Sequence, residues 1–529
     1  MIQRKTQTAE YWQAFSLSAA DIEFLHTLLL DAEQPLTTRA LALALVGERC
    51  RREEAELRAE LDRGIIYQPR KSFKVGDKII FPSLDFRLGE AIELRPGHNP
   101  EYGDFEVVTV DFGSDRRQRS FAASLTAAHK LNVDVPDVLA VGDGLTPEKI
   151  LDTVAPELMP ALAAQLAGQP NFAGFEDRWL LRDLLAAVHV GHLNIAEALI
   201  EMRTAPVATT SLLKELDLPA EIKPEILMFS LHSALAADPR FDQVGAGETR
   251  RWYLRRLEPA EALTRPEPLV YTAISYDRTS LPVELLQIEW ELDDEWTEGQ
   301  VPAAAASPVK GAVPSTTVLL TYPHLLAGTL PLNVHSRPLF PRGHGERIMI
   351  TMIDGRWGQR FPAWVVPAHR YVAGLRSWFE QHKLPAGAFI TLERRDNTGE
   401  IVVDFRPKRM RREWTRRALV TEDGRLDIQL RKQEVACEYD EQIIISDERV
   451  EDIYRLRANP IYAGADLKDL VYEITTDLAG LSQGGNVHAK TVYSAINVLR
   501  RCPPGPVFAI LANDPRLQGV GDGLFRLNI

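Results

Sequence analysis

Four stretches of this 529-residue sequence hold side chains that could bind charge or do chemistry. Between 406 and 417 stand Arg406, Lys408, Arg409, Arg411, Arg412, Arg416 and Arg417, seven cations in twelve positions. Such a run neutralises phosphates and makes binding steeply salt-dependent; the alternative is a solvated strand or helix face. Trp414 within it is expected to be a buried anchor, with base stacking as the other reading. Residues 289–298 hold six acids and no base: Glu289, Glu291, Asp293, Asp294, Glu295 and Glu298. They read as a solvated face, or else as a mimic of nucleic-acid charge or a site for a basic partner. His189 and His192 could face one metal, but they lie in an apolar helical run without an H-E-x-x-H pattern. Gly484 to Thr491 imitates a phosphate loop, yet Ala489 replaces its second glycine, so it reads as a helix start. We therefore expect no catalytic residue, no metal ligand and no cofactor, and not an enzyme.

The whole chain sets limits on that reading. With 61 Lys and Arg against 74 Asp and Glu the net charge is -13, which opposes wholesale wrapping by nucleic acid and leaves room for local basic patches. Cys50, Cys437 and Cys502 lie far apart and form neither a disulfide framework nor a zinc site. The start is polar and no stretch is apolar enough to span a bilayer, so the expectation is a reduced, cytoplasmic, nucleoid-associated protein with no membrane partner.

The elements that must position these residues are legible in the periodicity. Apolar Ile22, Phe24, Leu25, Leu28 and Leu29 recur at helical spacing, Pro35 to Thr38 restarts the chain, and a third run follows from Arg51. Strands are expected at 65–67 and 73–81, which makes helix-helix-helix-strand-strand, a winged-helix order. Residues 71–125 continue as short strands split by Pro82, Pro96 to Pro100 and Gly103, fitting a small barrel. Residues 234–247 align without gaps on 510–523, with eight of fourteen positions identical. Each reads as a helix end, a D-P turn, a strand and a V-G-x-G hairpin. Residues 301–314 are an Ala- and Pro-rich linker.

Three resemblances sharpen this order. Phe73, Lys74, Val75, Gly76, Asp77, Lys78, Ile79, Ile80, Phe81 and Pro82, followed by Gly89, resemble the opening of Tudor-like or SH3-like barrels of the RNA-polymerase-binding CarD type. The D-P-R and V-G-x-G units at Asp238 and Asp514 resemble the closing helix and wing of HARE-type winged-helix domains, over 187–258 and 450–529. Residues 371–394, preceded by 339–341 and by 347–361 with an Asp354-Gly355 two-residue turn, are similar to B3-type DNA-binding pseudobarrels; Ala388 stands where that family usually has Asp. The resemblance implies two loops gripping the major groove, His335, Ser336 and Arg337 in one and His369, Arg370 and Tyr371 in the other.

The expected fold class is α+β and multi-domain. A winged-helix-like unit at 1–70 is followed by a small SH3/Tudor-like barrel at 71–126 and a helical plus winged-helix region at 145–258. A β segment with the acids at 259–300 and the linker at 301–314 lead to a B3-like pseudobarrel at 315–417, a β hairpin at 418–449 and a winged helix at 450–529. The helices 224–237 and 506–513 lack Lys and Arg and are expected to dock protein. The first unit, with Arg49, Arg51, Arg52, Arg58, Arg70, Lys71 and Lys74, is the better DNA candidate. The expected function is non-enzymatic reading of double-stranded DNA, transcription- or nucleoid-linked. The alternatives are a target-recognition subunit of a restriction or defence complex and a scaffold on RNA polymerase or another protein.

Overall fold

A computed structural model describes residues 4–84, 86–113, 118–132, 145–219, 221–245, 250–296, 315–343, 345–395, 399–482 and 484–528. The linker 301–314, Glu298 and the wing tip at Gly247 lie outside the described residues. The chain is mixed α+β with several separate sheets, and it divides into two units, Met1–Val188 with Leu218–Ser233 and His189–Asp217 with Ala234–Ile529. Among the described residues no helix is long and apolar enough to cross a membrane.

In the first unit Ser18 starts the helix Ala19–Ala32 through a reciprocal cap: its hydroxyl accepts from Asp21 N at 3.2 Å, and Asp21 Oδ2 accepts from Ser18 N at 3.0 Å. The two-residue strand Leu36–Thr37 follows, and Thr37 caps the helix Thr38–Leu61. This helix is continuous through the expected restart at Arg51, laced by the ion pairs Arg52–Glu48 and Arg58–Glu54 one turn apart. The strands expected as its wing do not close this unit. Ile65–Ile66 runs parallel to Lys78–Phe81 and enters a five-stranded sheet completed by Arg87–Asn99, Gly103–Asp111 and Arg119–Ala123. Tyr67, Phe81 and Phe121 stack inside it, with ring centroids 4.7 and 4.4 Å apart.

The third helix comes only at Pro147–Ala167, followed by the hairpin Phe172–Phe175 and Arg178–Leu181. That hairpin reaches back to the start, Leu36 pairing with Trp179. Leu25, Leu29, Leu41, Leu45, Leu158, Leu162 and Trp179 form one buried core. The five-stranded sheet is therefore an insertion between the second and third helices, and the boundary expected at residue 70 falls inside it.

The same plan recurs in the second unit. Val190–Arg203, Val207–Ala208 and Thr209–Glu215 meet the hairpin Phe241–Gln243 and Arg251–Leu254; Leu467–Leu481, Val487–His488, Ala489–Leu499 and Pro504–Asn513 meet Leu517–Gly521 and Leu524–Leu527. In all three repeats the last strand is central, and the residue after the short strand donates its N–H to the residue before that last strand: Thr38 to Asp177, Thr209 to Arg250 and Ala489 to Gly523. The helix Pro224–Ala237 is divided, its residues through Ser233 belonging with the first unit. There Ile226 and Phe229 pack with Ala173 and Leu180, and the Ser230 hydroxyl accepts from Ala186 N at 2.9 Å.

Between the second and third repeats lies a seven-stranded, nearly closed sheet. Its order is Ser315–Leu319, Phe389–Arg394, Ile401–Phe405, Ile348–Asp354, Arg360–Val366, Tyr371–Ala373, Thr329–Pro331. Only Ile348–Asp354 and Ile401–Phe405 run parallel. The inward residues Ile348, Ile350 and Met352 alternate along their strand and meet Val365, Val403 and Trp378 in a common core. Ile353 pairs with Arg360, so residues 354–359 form a longer loop where a two-residue turn at Asp354-Gly355 was expected.

Candidate nucleic-acid interface

The basic run folds as a strand. Pro407–Val420 pairs antiparallel with Leu426–Cys437, with Arg412 opposite Glu434, Trp414 opposite Lys432 and Arg416 opposite Leu430. The boundary expected at 417 thus falls within one strand of this hairpin. Side chains alternate across a strand, so Arg412, Trp414 and Arg416 share a face with Leu430, Lys432 and Glu434, while Arg411, Thr415 and Arg417 belong to the other face with Val435. Thr415, Arg417 and Val435 are buried, whereas Trp414 is 64% exposed. The expected anchor is a presented ring, with Lys432 Nζ 5.2 Å from its centroid.

The cations of the run separate accordingly. Arg409 and Arg411 are exposed and have no ion-pair partner among the described residues. Arg412 meets Glu434 at 3.5 Å and Arg406 meets Glu438 at 3.7 Å, both exposed pairs of little strength. Lys408 bonds Glu413 at 2.6 Å, and half-buried Arg416 donates to Glu441 O at 2.8 Å. Arg417 is turned inward onto Asp447 and Gln433, and burial, with Arg431 nearby, pushes its pKa down to about 10. Arg417 is therefore removed from the contact surface, because the pleat points it at the protein.

The two loops expected to read bases are largely engaged with the protein itself. Ser336 is fully buried, donating to Pro331 O at 2.9 Å and accepting from Asn333 N at 3.0 Å. Tyr371 is equally buried and donates to Glu261 O at 2.8 Å. His335 packs edge-on against Trp290 at 4.7 Å, and Arg370, left-handed at φ 56°, lies over Trp296 at 4.8 Å while donating to Glu295 O. Arg337 and His369 remain exposed.

In the first unit, Arg49 and Arg52 converge on buried Asp21 at 2.5 and 3.0 Å, and Arg51 meets Glu48 at 3.0 Å. Arg70 and Lys71 sit on the turn into the five-stranded sheet, where Arg70 N donates to Asn132 and Arg70 Nε to Gln68. Carboxylates of the same fold already neutralise its helix arginines.

The acidic stretch is the clearest departure from expectation. Arg501, fully buried, bonds Asp294 at 2.6 Å and Glu295 at 2.8 Å. Tyr493 donates to Asp294 at 2.8 Å, and His324 bridges Glu295 at 3.0 Å and Thr329 at 2.8 Å. Glu289 meets Arg278 at 2.8 Å. Burial alone would raise Glu295, but Arg501 and His324 hold it well below the usual carboxylate range; burial raises Asp294 against the pull of Arg501. Thr329, His324 and Glu295 have the connectivity of a nucleophile, base and orienting acid, yet Thr329 is 0% and His324 1% exposed, so no substrate reaches them. His189 and His192 stack at 3.7 Å, and each accepts a backbone N–H on its Nδ1. Among the described residues no three His, Cys, Asp or Glu side chains gather as for a metal.

No family model, curated protein or solved structure matches this chain. The surface itself carries the functional reading. Sequence reasoning placed the basic run but missed its sidedness, and it did not single out Trp357, which is 57% exposed in the loop after Ile348–Asp354. The apolar residues of Pro504–Asn513, Val507, Phe508 and Leu511, fill a core with Leu470 and Val492.

Proposed function

We propose that this chain is a non-enzymatic protein that binds double-stranded DNA through the outward face of the hairpin Pro407–Val420 and Leu426–Cys437. The observation that carries the reading is Trp414. Burying a large apolar side chain is worth roughly 2 kcal/mol, and this one stands in solvent beside Arg412, Arg416 and Lys432. A two-stranded ribbon fits the major groove, where arginine reads guanine edges and phosphates. The overall charge of -13 makes this local concentration of cations a place rather than a general property. A short strand between helices, closed by a hairpin whose last strand is central, is found three times and supports reading the repeats as winged-helix-like. The order of the seven-stranded sheet with its helix Arg376–His382 supports the B3-like pseudobarrel, and the five-stranded sheet the SH3/Tudor-like barrel. With the loops at His335 and Arg370 engaged internally, the ribbon takes the leading part in contact. A cytoplasmic, nucleoid-associated place goes with this function.

The test is fluorescence anisotropy of the full chain with a labelled duplex at several salt concentrations. If the ribbon neutralises about four phosphates, affinity falls roughly a hundredfold between about 50 mM and 200 mM salt. Binding that is absent at low salt, or indifferent to salt, would refute the proposal.

A further inference from the structure

Trp357 is presented by a loop built to hold it still. Asp354 N donates to Gln359 O and Gly358 N to Asp354 O, both at 2.8 Å, while Asp354 Oδ1 accepts from Arg356 N at 2.8 Å and Oδ2 meets His382 Nε2 at 2.9 Å. His382, so fixed, lies under one face of the Trp357 ring, with centroids 4.3 Å apart. The rest of the indole is open. Gly358, left-handed at φ 69°, adds no side chain beside it, and nothing stands within 4 Å of where a Cβ would be. Gly355, Arg356, Gln359 and Arg360 around it are exposed and small or polar, so there is no continuous apolar surface for a protein or a bilayer. What fits a lone rigid ring, backed on one side and free on the other, is a second flat ring.

The loop also leads into the basic ribbon. Arg356 lies over Phe405 at 4.9 Å and pairs with Asp404 at 2.8 Å; Arg406 and Pro407 come next in the chain. Trp357 is thus presented near the end of the hairpin at which the exposed Arg409 and Arg411 have no ion-pair partner among the described residues. Within a duplex the bases stack on one another and offer no face to an indole; an unpaired base does.

We propose that Trp357 is a stacking platform for an unpaired nucleobase, so that the protein prefers DNA in which a single-stranded segment adjoins a duplex. This rests on the DNA-binding reading above and specifies its ligand. The full chain is titrated with a blunt duplex and with the same duplex carrying a single-stranded overhang, for wild type, Trp357→Ala and Trp357→Phe. The overhang is expected to bind about tenfold more tightly than the blunt form, within the range that aromatic stacking supplies. Trp357→Ala should abolish that preference while leaving blunt-duplex affinity unchanged, and Trp357→Phe should keep part of it. Equal binding of the two DNAs by wild type, or a Trp357→Ala variant that retains the preference, overturns this proposal while leaving the duplex reading intact. Failure to bind either DNA overturns both.

Discussion

The indole N–H of Trp252 donates to the hydroxyl of Thr209 at 3.0 Å, both residues being buried. Trp179 makes the same bond to Thr38 at 2.9 Å in the first repeat. In the third repeat Phe525 and Ala489 occupy these places: Phe525 pairs with Val487 as Trp252 pairs with Val207, and Ala489 begins the helix as Thr209 does. Both polar partners are absent together, the arrangement in which no buried donor is stranded.

A double-mutant cycle follows. Thr209→Val should remove the hydroxyl that accepts the Trp252 N–H and cost about 1–3 kcal/mol in urea unfolding, whereas Thr209→Val combined with Trp252→Phe should cost less than the sum of the two single changes. Strict additivity would show that the bond contributes nothing.

Arg501→Met should be among the most damaging single changes in the chain. It leaves Asp294 and Glu295 buried without their cation, at a cost of about 3–5 kcal/mol. Arg501→Lys should rescue little, because one ammonium cannot serve both carboxylates and Asn497 as the guanidinium fork does. Denaturation midpoints of the two variants measure this.

Within the basic run, neighbouring arginines should part company. Arg412→Ala with Lys432→Ala, on the face of Trp414, should reduce the salt slope of DNA binding by about 2 and leave stability within about 0.5 kcal/mol. Trp414→Ala should likewise spare stability and weaken binding. Arg417→Ala should do the reverse, since it empties a buried position bonded to Asp447 and Gln433. Anisotropy and thermal unfolding on the same three samples separate the outcomes.

Asp293 gives the fold a pH dependence. Burial, reinforced by the neighbouring Asp294, pushes its carboxyl up to about 7. A raised acid holds its proton longer in the native state than in the unfolded one, so its contribution is full at low pH and is lost as pH climbs towards 7. Asp293→Asn, which tolerates the left-handed φ of 42°, should match wild type near pH 4 and exceed it above pH 7, by at most about 4 kcal/mol. Parallel unfolding curves for the two proteins across that range would contradict the assignment.

How far the sequence spoke depended on distance along the chain. The restart at Pro35 to Thr38, the turn at Val75 to Asp77 and the alternating strands around 350 and 363 are local signals, and the structure has elements at each. The acids at 289–298 looked solvated because Arg501, which neutralises two of them, lies some two hundred positions away. The facing of Trp414 was hidden for a related reason: cations occupy both parities of the strand, and the partners that receive Arg417 on the inner side, Asp447 and Gln433, lie well along the chain. The first repeat was expected to close by residue 70, since its true third helix ends in Gly168 and Pro170 without the D-P-R sequence that marks the other two. Its remaining cue was Trp179 after Arg178, echoed by Trp252 after Arg251.

The insertion in the first repeat has a bearing on how the protein is born. Leu36 cannot meet Trp179 until the intervening chain has left the ribosome, which at about 5–20 residues per second takes roughly 10–30 s. During that wait the apolar faces of Ala19–Ala32 and Thr38–Leu61 have each other but not the hairpin and helix that complete their core. The five-stranded sheet, whose pairings all lie between residues 65 and 123, can form in the interval and draws its two ends towards the place where the interrupted repeat must close. Once it has, the thermodynamic penalty of the long detour is slight, since each doubling of loop length costs only about 0.6 kcal/mol. The burden falls on biosynthesis, which makes the N-terminal helices the part of the chain for which a holding chaperone would matter most.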